Sequence, residues 1–83
     1  MVKEEMSFDS GLVSANSAVF DKSCSFVYVA SDDGTIKIYN TTSKERENEI
    51  KAHEDAVLDL CWDNAPDGCL ISSSADCSFK IWQ

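Results

Sequence analysis

The sequence predicts an all-β fold made of two similar units. Short apolar or alternating runs recur along the chain, and each run ends at Gly, Asp, Asn or Pro residues, as strands joined by hairpins do. The segment 31–40 also matches the segment 74–83, because Asp33 and Asp76 are 43 positions apart, as are Tyr39 and Trp82. A period of about 40–45 residues is typical of arrays of repeated supersecondary units.

The C-terminal copy carries the clearest pattern. Its strands are expected over residues 56–62, 69–73 and 78–82. The first of these alternates apolar and polar residues, as a half-buried strand does. An Asn-Ala-Pro-Asp-Gly stretch separates the first two strands, and a tight turn at Ala75-Asp76-Cys77 separates the last two.

The sequence of the N-terminal copy predicts four strands, one more than that of the C-terminal copy. Its strands are expected over residues 12–20, 26–30, 35–39 and 47–51. The second of these is apolar throughout, as in a strand that is covered on both faces. A turn at Asp32-Asp33-Gly34 joins the middle strands, since Asp and Gly tolerate positive φ. The charged residues 41–48 favour a loop that leads into the last strand over a helical turn.

The residue order of the C-terminal copy resembles a WD40 repeat, whose pattern runs from a Gly-His pair to a Trp-Asp pair. Here the pairs read Ala52-His53 and Trp82-Gln83, so one member of each differs. The resemblance implies an all-β partial propeller of two WD40-like, four-stranded antiparallel blades. It divides the chain into an N-terminal outer strand or frayed tail, a degenerate first blade, and a second blade without an outer strand of its own. These parts are residues 1–8, 9–51 and 52–83.

Four polar or aromatic residues of the second blade form a spaced set. The resemblance implies that His53, Ser72, Asp76 and Trp82 are a buried, hydrogen-bonded structural tetrad. The alternative is a catalytic Ser-His-Asp triad. The Gly-x-Ser-x-Gly pattern that exposes a nucleophilic serine is absent from the sequence, so the structural interpretation is favoured.

The first blade keeps only part of this set. Asp33 remains and Tyr39 replaces the tryptophan, which makes a degenerate tetrad. Gly11 and Val29 occupy the histidine and serine positions. We therefore expect the first blade to depend on apolar packing.

The same resemblance implies a non-catalytic scaffold or adaptor that binds a protein or peptide through its propeller loops. Four acidic residues fall on the loops of one propeller face and form the candidate protein-binding face: Asp9, Asp32, Glu54 and Asp55. The simpler alternative is an ordinary solvated rim. Two other functions stay open, namely a split piece that completes the propeller of another chain and, more remotely, a Ser-His-Asp hydrolase.

Charge narrows the classes of partner. The chain carries 15 acidic and 7 basic residues, for a net charge of −8. Nucleic-acid and anionic-membrane binding are disfavoured, because both need a basic surface, whereas a basic protein partner is favoured. No apolar run approaches the roughly 18 residues that span a membrane. With no export signal recognisable, the sequence predicts a cytoplasmic protein, with the nucleus as the alternative.

No cofactor and no metal site are predicted. The four cysteines, at positions 24, 61, 69 and 77, lack Cys-x-x-Cys spacing. In a reducing compartment they are expected to be free thiols. Because most of them fall in or beside apolar strands, they are expected to react slowly with a thiol reagent.

Two blades cannot close a ring. A pair of blades is expected to leave an apolar sheet face bare at each end and an unpaired edge at residues 79–82. The sequence therefore predicts a homo-oligomer, or docking on a larger propeller, in place of an isolated monomer.

Overall fold

Seven strands make up two antiparallel sheets in this computed structural model, which describes residues 14–63 and 68–82. The strands are β1 (Ala15–Phe20), β2 (Phe26–Ser31), β3 (Thr35–Asn40), β4 (Arg46–Lys51), β5 (Val57–Asp63), β6 (Cys69–Ser74) and β7 (Phe79–Trp82). The first sheet has the order β1-β2-β3-β4 and the second the order β5-β6-β7. The predicted all-β fold and the hairpin order are confirmed. The N-terminal outer strand or tail expected over residues 1–8 lies outside the described residues.

Hairpin turns of matching shape connect β2 to β3 and β6 to β7. Gly34 in the first turn has a φ of 84°, and Cys77 at the equivalent place in the second has a φ of 73°. Glycine adopts this left-handed conformation without a steric penalty, but any residue with a Cβ atom is strained there. The second turn therefore holds a residue that its conformation disfavours.

Replacing Cys77 with glycine is expected to stabilise the protein. The strain of a non-glycine residue at positive φ is relieved, which should raise the free energy of unfolding by about 1 kcal/mol. Urea denaturation measures the change. Cys77→Ser is the matched control, since it removes the thiol and keeps the strain, and it should leave the stability close to that of the unaltered chain. An equal gain from both variants would assign the effect to the thiol and contradict the prediction.

The core lies between the two sheets. Its buried members come from both sheets and from the β4–β5 loop: Ala30, Ile36, Ala52, Val57, Leu60 and Leu70. Tyr28 of β2 and Trp62 of β5 extend this core as a stacked pair, with ring centroids 5.7 Å apart and planes inclined by 12°. Such aromatic pairs add stability beyond the area that they bury. The two sheets therefore share one core.

Polar side chains join the innermost strands of the two sheets. The Asn16 side-chain nitrogen donates to the carbonyl oxygen of Val57 at 2.9 Å and to the Asp32 carboxylate at 2.8 Å. Ser17 Oγ donates to the Asp59 carboxylate at 3.0 Å. These bonds hold β1 directly against β5.

The two outward faces of the pair differ in exposure. On the first sheet, Val27, Val29 and Tyr39 are buried. On the second sheet, Phe79 and Ile81 are 72% and 61% exposed. The expectation of two bare apolar faces is thus wrong for the first sheet, whose apolar side chains are covered, and it holds for the second.

The cysteines are free, but three of them are more accessible than expected. Cys24, Cys61 and Cys77 are exposed, and Cys69 is half-buried. Cys24 and Cys77 lie in turns, and Cys61 lies on the outward face of β5, opposite Ile71. The expectation of slow reaction is therefore corrected for these three. A thiol reagent should modify them in the folded protein, ahead of Cys69, as peptide mass mapping after brief labelling would show.

Candidate functional site

Two loops and a turn meet at one end of the sheets. The backbone nitrogens of Ala52 and His53, in the β4–β5 loop, both donate to the carbonyl oxygen of Gly34 at 3.0 Å. The turn of the first sheet therefore fixes where the chain enters the second. The β6–β7 turn reaches the same place, because the Asp76 carboxylate accepts from the Glu54 backbone nitrogen at 3.1 Å.

Four side chains form one continuous hydrogen-bonded chain behind these loops. Trp82 Nε1 donates to Ser72 Oγ at 3.0 Å, and Ser72 Oγ lies 2.8 Å from His53 Nε2. His53 Nδ1 lies 3.2 Å from Asp76 Oδ2. His53 and Ser72 are buried. The structure brings together all four residues that the sequence predicts to be a structural tetrad.

The donors and acceptors assign a direction to each bond. An indole nitrogen can only donate, so Ser72 Oγ accepts from Trp82, and its own proton can be donated to Nε2 in the tautomer that carries its proton on Nδ1. In that tautomer Nδ1 donates to the Asp76 carboxylate. Among the residues that the structure describes, every buried side-chain nitrogen or oxygen has a partner. A loss of one member would leave its neighbours unpaired.

A serine that the sequence analysis passed over completes the arrangement. Ser78 Oγ donates to Asp76 Oδ1 at 2.5 Å, and the Ser78 backbone nitrogen donates to the same oxygen at 2.9 Å. In the first sheet, Thr35 binds Asp33 in the same two ways. The signal was present, because both copies have a hydroxyl residue two positions after the aspartate.

These bonds stabilise ionised carboxylates. They hold the pKa of the Asp76 carboxyl well below its ordinary value of 3.8, and the Ser78 hydroxyl is the largest cause. The pKa of Asp33 is lowered as well, first because the Thr35 hydroxyl donates to it. A carboxyl with a lowered folded-state pKa stabilises the fold above its unfolded-state pKa, and this contribution is lost as the pH falls.

The stability of the protein is therefore expected to fall as the pH drops below about 4. In that window the unfolded chain takes up a proton at Asp76 that the folded chain resists. Asp76→Asn should flatten this dependence, as urea denaturation between about pH 2 and pH 5 would measure. Glu45→Gln, which removes a charge from the exposed β3–β4 loop, is the control. An unchanged pH slope in Asp76→Asn would contradict the assignment.

The first sheet has a buried polar cluster of a different kind. The Lys37 ammonium group, on a buried side chain, donates to Thr35 Oγ1 at 2.9 Å and to Ser31 Oγ at 3.4 Å, and it pairs with the Asp33 carboxylate at 3.3 Å. The first sheet therefore has this polar cluster in addition to the apolar packing that the sequence predicts. Tyr39, at the position of the tryptophan, is buried with Val27 and Val29 on the same outward face.

Three of the four residues of the predicted acidic face are among the described residues. Asp32, Glu54 and Asp55 are exposed, and the shared bonds at Gly34 and Asp76 place their loops at the same end of the sheets. Lys51, beside them, donates to the carbonyl oxygen of Asp33 at 3.3 Å. Asp9 lies outside the described residues.

Ser72, His53 and Asp76 are hydrogen-bonded in the order of a catalytic triad, but the serine is not accessible to a substrate. In a triad the serine oxygen attacks a substrate carbonyl, so it must face a cleft. Ser72 is 0% exposed, and its oxygen already accepts from Trp82. This geometry favours a stabilising network.

Within residues 14–63 and 68–82, no group of three His, Cys, Asp or Glu residues is placed to hold a metal ion. None of the described elements is a helix that could cross a membrane.

Comparison with known proteins identifies related repeats. The family described as "WD domain, G-beta repeat" matches residues 6–40 and 44–83. Nuclear distribution protein nudF 1 of Talaromyces marneffei is 37% identical over 82 residues, which is 98% of this chain and 18% of the relative. Nuclear distribution protein PAC1 of Arthroderma benhamiae is 43% identical over 68 residues, which is 81% of this chain and 15% of the relative. The chain thus spans less than a fifth of the length of these relatives.

The fold also has a counterpart among solved structures. The crystal structure of the computationally designed Ika4 protein superposes with a TM-score of 0.77 over 99% of this chain and 48% of the designed one. The two sequences are 22% identical, so this likeness concerns the fold alone. It agrees with the two packed antiparallel sheets described above.

Proposed function

Because the chain belongs to the WD40 repeat family, with two repeats over most of its length, we propose that it is a non-catalytic scaffold module that binds a protein or peptide through its loops. The observation that carries the proposal is the acidic end formed by Asp32, Glu54 and Asp55. These exposed side chains stand on loops that the buried bonds of Gly34 and Asp76 hold in place. A rigid scaffold that presents exposed loops is a common arrangement for recognition.

Charge supports a basic partner for this end. The chain has a net charge of −8, so a positively charged segment is attracted at long range, whereas nucleic acids and anionic membranes are repelled. Two lysines beside the loops, Lys51 and Lys80, donate their ammonium groups to the backbone carbonyl oxygens of Asp33 and Ala52. Four free cysteines are compatible with the cytoplasm as the working compartment.

A peptide selection tests the loop surface. Peptides are selected from a random displayed library on the unaltered chain and then measured against two charge-reversed variants. Glu54→Lys/Asp55→Lys alters the proposed surface. Glu45→Lys/Glu47→Lys makes the same charge change at exposed positions on the β3–β4 loop and β4. Selected peptides should be basic, and they should lose about tenfold or more in affinity for the first variant only. An equal loss of affinity in both variants would attribute the effect to net charge and reject the proposed binding surface.

A second function has a specific observation in its favour, namely completion of a propeller by another polypeptide. Phe79 and Ile81 are the repeat equivalents of Ile36 and Ile38, 43 positions earlier. Ile36 is fully buried against the second sheet, but Phe79 is exposed. A further sheet, from a second copy or from a larger propeller, would cover Phe79 in the same way.

The mass of the purified protein in solution distinguishes an oligomer from a monomer. Light scattering on the purified chain should show a species larger than 9.2 kDa. Its formation should strengthen with salt, because screening weakens the repulsion between chains of charge −8. Phe79→Ser should shift it toward the monomer, whereas Phe20→Ser, at an exposed phenylalanine of β1, should not. A monomer that is indifferent to salt and to Phe79→Ser would reject self-assembly.

A further inference from the structure

Backbone oxygen atoms gather around a positive charge in front of Gly34. The Lys51 ammonium group donates to the carbonyl oxygen of Asp33 at 3.3 Å. It also lies 3.0 Å from the point where a Cβ atom of residue 34 would stand, and the other atoms nearest to that point are the carbonyl oxygens of His53 and Asp55. Because glycine has no side chain, this space is left to a charged group. The β2–β3 turn, the end of β4 and the β4–β5 loop thus form a small site for a cation.

Lys51 fills this site incompletely. Hydrogen bonds from nitrogen to oxygen are usually about 2.7–3.2 Å long, so its bond to Asp33 is a long one. An ammonium group has three donors, and this bond uses one of them. The carbonyl oxygen of His53 accepts no hydrogen bond within the part of the chain that the structure describes. Since the Lys51 side chain is also exposed to water, its release from the site costs little.

The second lysine at this end is held differently. The Lys80 ammonium group donates to the carbonyl oxygen of Ala52 at 2.6 Å, which is a short bond. Within residues 14–63 and 68–82, neither lysine forms an ion pair with a carboxylate. The carboxylates of Glu54 and Asp55 therefore have no ammonium partner in this part of the chain. Of the two lysines, Lys51 is the one that an incoming cation can displace.

The acceptors of the site determine which kind of cation fits. They are single carbonyl oxygens from different residues, Asp33 and His53, around a space that only the absence of a Cβ atom keeps open. A compact ammonium group can direct its three donors at separate oxygens of this kind. The planar fork of a guanidinium group instead matches the paired oxygens of one carboxylate or phosphate. The site therefore favours lysine over arginine.

We propose that the carbonyl oxygens of Asp33 and His53 form a subsite for one lysine side chain of a partner, and that Lys51 occupies this subsite until the partner lysine displaces it. The inference rests on the proposed function, in which the acidic end binds a basic segment. Glu54 and Asp55 attract the segment, and the subsite fixes one of its lysines. A site that is blocked for part of the time binds its ligand more weakly in proportion. Lys51 therefore lowers the affinity of the chain for its partner.

The n-butylammonium ion, which reproduces the end of a lysine side chain, probes the subsite without a partner. It is titrated at constant ionic strength into the isotope-labelled Lys51→Ala variant, and the backbone amide signals of Ala52 and His53 are followed by NMR. These signals should shift saturably. The unaltered chain should need about tenfold more of the ion, if Lys51 occupies the subsite about 90% of the time. n-Butylguanidinium should bind the variant more weakly. No shift in the variant, or an equal response to both ions, would overturn the proposal.

A matched pair of variants tests the effect of Lys51 on peptide binding. The probes are the basic peptides selected on the unaltered chain. Lys51→Ala should bind them about tenfold more tightly, because it empties the subsite. Lys22→Ala makes the same charge change at an exposed position of the β1–β2 turn, at the opposite end of the sheet, and should have little effect. Circular dichroism checks that both variants fold. Equal gains from the two variants would attribute the effect to net charge and overturn the proposal.

The loop variant Glu54→Lys/Asp55→Lys separates this subsite from the proposed function. If it weakens the selected peptides while Lys51→Ala does not strengthen them, the acidic end binds its partner without a lysine subsite. The inference is then overturned and the proposed function stands. If n-butylammonium binds Lys51→Ala while the loop variant leaves the peptides unaffected, the ammonium subsite stands and the proposed function fails.

Discussion

His53→Ala is expected to destabilise the protein by about 2–4 kcal/mol. The imidazole is completely buried and links Ser72 to Asp76, so its loss leaves a small cavity and unpaired polar atoms. A small domain has only about 5–15 kcal/mol of total stability. For a chain of this length the melting temperature should fall by roughly 10–25 °C, or folding should fail outright. Thermal unfolding followed by circular dichroism measures the effect.

Trp82→Phe provides the graded control for His53→Ala. It removes the indole donor to Ser72 and keeps most of the apolar volume, so the expected loss is only about 1 kcal/mol. A His53→Ala variant with an unchanged melting temperature would contradict the structural role of the tetrad. It would also make the hydrolase alternative worth testing with a model ester and a Ser72→Ala variant.

Gly34→Ala is expected to cost about 3 kcal/mol or more. A left-handed backbone with a Cβ atom costs about 1–2 kcal/mol on its own. The added methyl group would in addition overlap the carbonyl oxygen of His53, which is backbone and cannot move aside cheaply. The same shift would disturb the bonds from Ala52 and His53 to the Gly34 carbonyl. Urea denaturation gives the loss.

Cys77→Ala is the matched control for Gly34→Ala. Cys77 stands at the equivalent turn position and already carries a Cβ atom at positive φ, so alanine adds no new strain. Its stability should stay within about 0.5 kcal/mol of the unaltered chain. If Gly34→Ala proved equally mild, the first turn would have to relax without disturbing His53, and the proposed link between the two sheets would be wrong.

The strands were predictable because local chemistry decides them. The Asp33-Gly34 turn and the alternation of β5 follow from backbone preference and from side-chain period, both of which are written in consecutive residues. The meeting of His53 with Ser72 and Asp76 was predictable only through the repeat. Residues 19 and 23 positions apart come together because the hairpins fold back in a fixed order.

Other features depend on which sheet face is covered, and a single sequence does not show this. Lys37 alternates with Ile36 and Ile38 as a solvent-facing residue of an ordinary strand would, yet it is buried. Cys61 lies within an apolar strand, yet it is exposed because the described residues leave the outward side of the second sheet uncovered. Both departures have the same cause, namely that a strand pattern fixes the two faces but not their neighbours.

The Gly34 carbonyl oxygen has a consequence for the order of folding. It accepts from both Ala52 and His53, and these residues set the position of the buried imidazole. The His53 imidazole is therefore not held in place beside the second sheet until the first turn has closed. The first turn itself closes through bonds between neighbours in sequence. Nucleation is expected in the N-terminal half. The backbone amides of Ala52 and His53 should then exchange with deuterium only when both halves open together.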